Sequence, residues 1–87
     1  MYGGVFVLIM NINDYKILQT LYKYGVLQRR QILIYALVSE NEFLESTQNL
    51  IKMNYVASID NNYYNITVYG DAYMQEEQDE YNFCNRN

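Results

Sequence analysis

The first clear pattern in the chain is a set of apolar residues at helical spacing in NINDYKILQTLYKYG, residues 11–25. These residues predict one apolar helix face, made of Ile17, Leu18, Leu21 and Tyr22. Asn13 or Asp14 is the expected N-cap, since short polar side chains accept hydrogen bonds from free N–H groups at a helix start. Gly25 is expected to end the helix, because glycine adopts positive φ without steric cost.

Two more helices are predicted after a very short strand at residues 26–27. The second helix covers residues 29–37, with Ile32, Leu33 and Ala36 facing inward. The third covers residues 40–53. It begins after Ser39, and Glu42 stands at the spacing of a capping box. Its expected core residues are Phe43, Thr47, Leu50 and Ile51.

The second half of the chain predicts a β-hairpin followed by a helix. Tyr55, Val56 and Ile59 mark one strand, and residues 63–67 mark the return strand. Residues 60–62, Asp-Asn-Asn, form the turn, because Asp and Asn tolerate positive φ. A helix should begin at Val68 and become acidic. The sequence therefore predicts one α+β domain that is mainly helical.

We expect three segments along the chain: an apolar extension at residues 1–9, the folded domain at 10–74 and an acidic tail at 75–87. The apolar run at 5–10 is far too short to span a bilayer, and it lacks the basic leader of a signal peptide. The single cysteine, Cys84, excludes an intramolecular disulfide and fits a reducing compartment. An intracellular, cytoplasmic protein is the expectation, and Cys84 is either a spectator or an intermolecular thiol.

Composition argues against catalysis. The chain has no histidine and one cysteine, which excludes a zinc site or a Cys/His nucleophile within it. No paired carboxylates, activated nucleophile or phosphate-binding loop is apparent. We expect no enzyme activity, no metal and no cofactor.

The net charge is −4, and residues 76–80 supply much of it. The body has no basic stripe, which counts against a dominant phosphate-binding surface.

Two stretches of the sequence resemble the winged helix-turn-helix fold, in particular its MarR/PadR-like group of DNA-binding regulators. QILIYALVSENEF, residues 31–43, is similar to the helix-turn-helix, with Ser39 starting the recognition helix. YNITVYG, residues 64–70, is similar to the signature at the end of the wing. The resemblance covers about residues 14–74. Leu37 and Asn54 depart from it, since they stand where glycine is usual.

The signature implies roles for three residues. Ile66 would fill the core from the returning strand, and Thr67 would cap the last helix. Gly70 would allow the last helix to approach the wing closely. The resemblance further implies a small dimeric transcriptional regulator of phage, viral or low-GC bacterial origin that binds duplex DNA.

The resemblance also implies a DNA-binding surface. In it the third helix enters the major groove, the second contacts phosphates and the wing flanks them. The positions that match are Asn41, Glu45, Ser46, Gln48 and Asn49 for base contacts, Arg29, Arg30 and Lys52 for phosphate, and Asn61 and Asn62 for the wing.

The acidity of this surface supports a second hypothesis. Glu40, Glu42 and Glu45 all fall on groove-facing positions, and carboxylates near phosphates are repulsive. The fold would then serve as an acidic protein-binding module, such as an inhibitor that imitates DNA and binds a basic protein partner.

A contact surface for a homodimer or another partner is also expected. Ile34 and Tyr35 stand at positions that face solvent in the resembled group, and adjacent exposed apolar residues favour contact. The expected contact residues are Phe6, Leu8, Ile34, Tyr35 and Tyr73. The alternative is that the tyrosines of the last helix pack within one monomer.

Overall fold

The structure, a computed structural model, describes the backbone of residues 10–84 and the side chains of residues 10–77. The fold is α+β and mainly helical, as expected. Its elements are α1 (Ile12–Tyr24), β1 (Leu27–Gln28), α2 (Arg29–Ala36), α3 (Glu40–Lys52), β2 (Val56–Ile59), β3 (Tyr63–Ile66) and α4 (Val68–Cys84). The three strands form one antiparallel sheet in the order β1-β3-β2.

Helix α1 begins earlier than predicted. Asn11 is its N-cap, and its side chain accepts a hydrogen bond of 2.8 Å from the Asp14 N–H. The Asp14 carboxylate accepts in return from the Asn11 N–H at 3.3 Å. The prediction of Asn13 or Asp14 as the cap was wrong, because this reciprocal pair fixes the helix start at Asn11 and makes Asp14 the third helical residue. Gly25 ends the helix at φ 86°, as predicted.

Helices α2 and α3 meet at a tight turn in which Leu37 has φ 58° and ψ 53°. This left-handed conformation costs a residue with a side chain about 1–2 kcal/mol. Two residues later Ser39 caps α3, and Glu42 completes the predicted capping box.

The buried side of α3 differs from the prediction at two positions. Ser46 is 1% exposed, whereas Ile51 is 43% exposed. Counted from Phe43 at about 100° per residue, Ser46 lies about 60° to one side and Ile51 about 80° to the other. Ser46 therefore falls nearer the centre of the buried side, and helical position outweighs polarity here.

The sheet brings the hairpin back against the start of α2. β1 lies one residue later than predicted and pairs with β3 through Leu27 opposite Tyr64. In the hairpin, Val56 lies opposite Ile66. The turn forms at residues 60–62 as expected, with Asp60 and Asn61 at positive φ.

The junction between β3 and α4 is closely packed. The Thr67 side chain accepts a hydrogen bond from the Gly70 N–H at 3.1 Å, and so caps α4 as predicted. The same hydroxyl donates to the Asn54 carbonyl at 2.6 Å. A Cβ on Gly70 would collide with the Tyr55 carbonyl oxygen and lie 2.8 Å from Cγ1 of Ile66. The predicted close approach is thus present.

The core lies between α1, α2, α3, the hairpin and the first turns of α4. Its buried apolar residues are Ile17, Leu18, Leu21, Leu27, Ile32, Ala36, Val38, Phe43, Leu50, Val56 and Met74. Helix α4 continues to Cys84, across the boundary predicted between residues 74 and 75. None of the helices in the described part of the chain combines the length and apolar character needed to cross a bilayer.

Candidate functional site

The outer side of α3 carries a polar stripe. Asn41, Glu45, Gln48 and Lys52 are exposed and recur at i, i+4, i+7 and i+11, so they share one side of the helix. We call these four residues the outer stripe; it extends over about 16 Å at 1.5 Å per residue. Asn49, also predicted as a contact, is exposed beside it. Ser46 is buried, so its predicted base contact is wrong.

The three carboxylates of α3 are not equivalent. Glu42 accepts a hydrogen bond from the Ser39 N–H at 2.8 Å and belongs to the helix cap. Glu40 forms an ion pair of 2.9 Å with Arg29. Glu45 has neither a hydrogen bond nor an ion pair to any other described side chain. Two of the three charges therefore have local structural partners, which the sequence alone did not show.

Arg29, at the start of α2, contacts both the hairpin turn and the start of α3. Its N–H donates to the Asn62 carbonyl at 3.3 Å, which ties the hairpin turn to the start of α2. Its guanidinium reaches Glu40 at the start of α3. The hairpin turn and the first turn of α3 thus both contact Arg29, and Asn61 and Asn62 are exposed in the turn.

The three predicted phosphate contacts lie apart. Arg29 is paired with Glu40. Arg30 is exposed and shares the outer side of α2 with Ile34, four residues on. Lys52 is exposed at the opposite end of α3 from Glu40, about 18 Å along the helix. Lys52 extends the outer stripe, whereas Arg30 belongs to a different surface.

The predicted contact residues on α2 are exposed. Ile34 and Tyr35 are 60% and 48% exposed, and the Tyr35 ring lies 4.8 Å from that of Tyr24. Tyr24, which sequence reasoning missed, lies at the end of α1 outside its apolar face. Both rings line an open pocket of ≈ 370 Å³, together with Gln19, Thr20, Tyr22 and Lys23. Phe6 and Leu8 lie outside the described residues.

Tyr73 packs within the chain, which is the alternative interpretation of the α4 tyrosines. It is half-buried, and its ring stacks on Tyr55 at 5.2 Å. Burial, and after it the neighbouring Glu77 carboxylate, raises the pKa of the Tyr73 phenol above its ordinary value of 10.0. Tyr69, by contrast, is 64% exposed.

The remaining chemistry of the described residues is limited. Within residues 10–77, no group of three His, Cys, Asp or Glu side chains is placed to hold a metal ion. Comparison with known proteins gives no match: no family model, no curated protein and no solved structure matches this chain.

Proposed function

We propose that this chain is a small winged-helix DNA-binding protein, with α3 in the major groove and the β2–β3 hairpin as the wing. The outer stripe of α3 is the observation that carries the proposal. It presents two amides, a carboxylate and an ammonium group on one side of a helix whose other side is fixed in the core. The element order, three helices, a hairpin and a fourth helix, is compatible with such a fold.

The side chains of the outer stripe suit the edges of bases. The amides of Asn41 and Gln48 match the donor and acceptor of adenine in the major groove. The Glu45 carboxylate is able to accept from the amino group of cytosine, and Lys52 is able to contact phosphate. In a dimer, two such helices would enter the groove about 34 Å apart, one turn of DNA. We propose an intracellular transcriptional regulator of this kind.

The electrostatic objection to DNA binding is reduced at one of the three α3 carboxylates, Glu40, which is paired with Arg29. Glu42 is held by the Ser39 N–H, and Glu40 is neutralised by Arg29. Glu42 keeps its charge and is exposed, so Glu42 and Glu45 are the two carboxylates that a phosphate would meet on this side. We expect Glu45→Gln to tighten binding, because it removes one repulsive charge and keeps the hydrogen-bonding shape.

The deciding measurement is fluorescence anisotropy of labelled duplex DNA over a salt series. Duplexes of random sequence and from the region upstream of the coding sequence should be compared. We expect submicromolar binding at low salt and a linear loss of affinity with the logarithm of salt concentration. Folded protein that binds neither duplex at low salt would contradict the proposal.

Three single variants localise the contact. Gln48→Ala should weaken binding by about 1–3 kcal/mol and relax sequence preference, as loss of a base contact does. Lys52→Ala should weaken all sequences alike and reduce the salt slope by about one. Gln19→Ala removes an amide that is also exposed, on α1, and is the matched control. Equal effects of Gln48→Ala and Gln19→Ala would remove α3 from the interface.

The Arg29–Glu40 pair gives an independent test of the phosphate contact proposed for Arg29. Glu40→Gln would free the guanidinium, so binding should tighten and the salt slope should steepen. Arg29→Ala should then abolish the gain in the double variant. A gain that survives without Arg29 would show that Glu40 acts only through its own repulsion.

The same ion pair favours a second function, an acidic module that binds a basic protein. With Glu40 paired to Arg29, one cation at the start of α3 is already neutralised within the chain. The first two turns of α3 then present Glu42 and Glu45 to solvent. In this case Glu42→Lys with Glu45→Lys should abolish capture of a basic partner. Capture that persists in that variant would exclude the α3 carboxylates from the mechanism.

A further inference from the structure

A band of large apolar side chains lies exposed at the end of α1 and on the outer side of α2. Tyr24 and Ile34 are 52% and 60% exposed, and Leu37 is 78% exposed. We call the surface made of Lys23, Tyr24, Arg30, Ile34, Tyr35 and Leu37 the α1–α2 face. Isolated apolar residues on a surface need no explanation, but a group of neighbouring ones marks a contact site.

Leu37 is the residue of this face whose side chain has the least evident role in the monomer. It has left-handed backbone angles that glycine would adopt without strain. Its side chain is 78% exposed, so burial within the monomer does not repay that strain. A strained residue whose side chain the fold does not use is a pointer to a function outside the fold. A contact made by the leucine side chain would supply that function.

The charges around the face indicate what covers it. Lys23 and Arg30 border the apolar residues, and among the described residues neither has a carboxylate within ion-pair distance. The chain as a whole carries a net charge of −4. A basic border on an acidic protein selects an occupant with carboxylates beside apolar groups.

The outer face of α4 has this chemistry. Gly70, Tyr73 and Met74 direct one side of the helix to the body, since Gly70 and Met74 are buried and Tyr73 is half-buried. The opposite side exposes Val68 at 81% and Tyr69 at 64%. Its remaining exposed residues are Asp71, Ala72, Gln75 and Glu76. We call Val68, Tyr69, Asp71, Ala72, Gln75 and Glu76 the outer face of α4; it combines exposed apolar residues with two carboxylates.

We propose that the α1–α2 face of one copy binds the outer face of α4 of a second copy. A two-fold axis would form this contact twice, in a closed dimer. The two faces hold fewer residues than the roughly 20–30 on each side of a standard interface, so we expect a micromolar dimer. The proposal goes beyond DNA binding, because it uses neither α3 nor the hairpin and is tested without DNA.

An exchange of charges tests the pairing of the two faces. One variant carries Lys23→Glu with Arg30→Glu, and the other carries Asp71→Lys with Glu76→Lys. Each variant alone would place like charges across both contacts, so each should be monomeric where the wild type is dimeric. In an equimolar mixture both contacts are complementary again, and a heterodimer should form. Light scattering after size exclusion gives the masses.

A charge change outside both faces is the control for the charge exchange. Glu45→Lys with Gln48→Lys adds positive charge on α3, outside both faces, and should leave the dimer unchanged. A wild type that stays monomeric at hundreds of micromolar would overturn the proposal and leave a different acidic protein as the occupant. Charge variants that dimerise like the wild type, or a mixture that stays monomeric, would also overturn it.

Leu37→Gly provides a test in which two effects have opposite signs. The variant relieves the left-handed strain, so the melting temperature of dilute, monomeric protein should rise. It also removes an apolar contact, so the dimer should dissociate about tenfold more easily. A rise in melting temperature with unchanged dimerisation would exclude Leu37 from the contact.

Discussion

The β3–α4 junction and the outer side of α3 differ in how strongly internal contacts constrain their residues. At the junction, the Thr67 hydroxyl makes two internal hydrogen bonds, and Gly70 leaves no room for a side chain. On the outer stripe of α3, Gln48 is exposed and makes no hydrogen bond to another described side chain. Packing therefore determines which residues fit at the junction. The side chains of the outer stripe are not constrained by internal packing, so binding to a partner can determine them.

Gly70→Ala should have the largest effect, because it breaks the junction by overfilling it. The new methyl group would meet the Tyr55 backbone and Ile66, and a backbone carbonyl cannot move aside as a side-chain end does. We expect a loss of about 1–3 kcal/mol in the free energy of unfolding, measured by urea denaturation.

Gly25→Ala is the control for this prediction. Gly25 has positive φ but open space around its Cβ position, so this change isolates backbone strain from collision. A Gly70→Ala protein no less stable than wild type would show that the junction can open.

Thr67→Ala should have a smaller effect at the same junction. It removes the cap of α4 and leaves the Asn54 carbonyl without its 2.6 Å partner. We expect a loss of about 1–2 kcal/mol by thermal or urea unfolding. Thr67→Ser keeps the hydroxyl and should recover most of that loss. If serine is no better than alanine, the threonine methyl group and not the hydrogen bonds stabilises the junction.

Gln48→Ala, on the outer stripe, should have almost no effect on stability, in contrast to the changes at the junction. An exposed polar residue away from caps and networks changes the free energy of unfolding by no more than about 0.5 kcal/mol. The same variant should weaken DNA binding if the proposed function is right. Ser46→Gln is the counterpart on the buried side and should destabilise the fold, since Ser46 is 1% exposed. A destabilised Gln48→Ala protein would mean that the outer stripe has a structural role.

The same contrast explains what the sequence could and could not predict. The Thr67 cap, the close approach at Gly70 and the Ser39–Glu42 capping box depend on local spacing, and all three are present. The order of the helices and the hairpin follows from periodicity and turn residues, and it was correct. These features are decided by neighbours within a few positions along the chain.

The predictions that were wrong or missing concern features that depend on tertiary contacts between residues far apart in the sequence. The Arg29–Glu40 ion pair joins two helices whose relative placement no local pattern gives. Ser46 was expected outside because the resemblance to a winged helix placed it at a groove-facing position, but its position around α3 places it against the core. The candidate site was therefore predicted as a helix surface, while the partners of its charges were not.

The pH dependence of stability should distinguish Tyr73 from Tyr69, two of the tyrosines of α4. The pKa of Tyr73 is raised in the folded protein, so above the ordinary tyrosine value of 10.0 the unfolded chain loses this proton more readily than the folded one. The stability that Tyr73 contributes is therefore fully present below pH 10.0 and should be lost as the pH rises above it. Tyr73→Phe should reduce this loss, measured as the change in urea midpoint with pH. Tyr69→Phe removes a phenol that is 64% exposed on the same helix and is the matched control. Equal pH dependence in wild type and Tyr73→Phe would mean that the stacked position beside Tyr55 and Glu77 does not hold the proton.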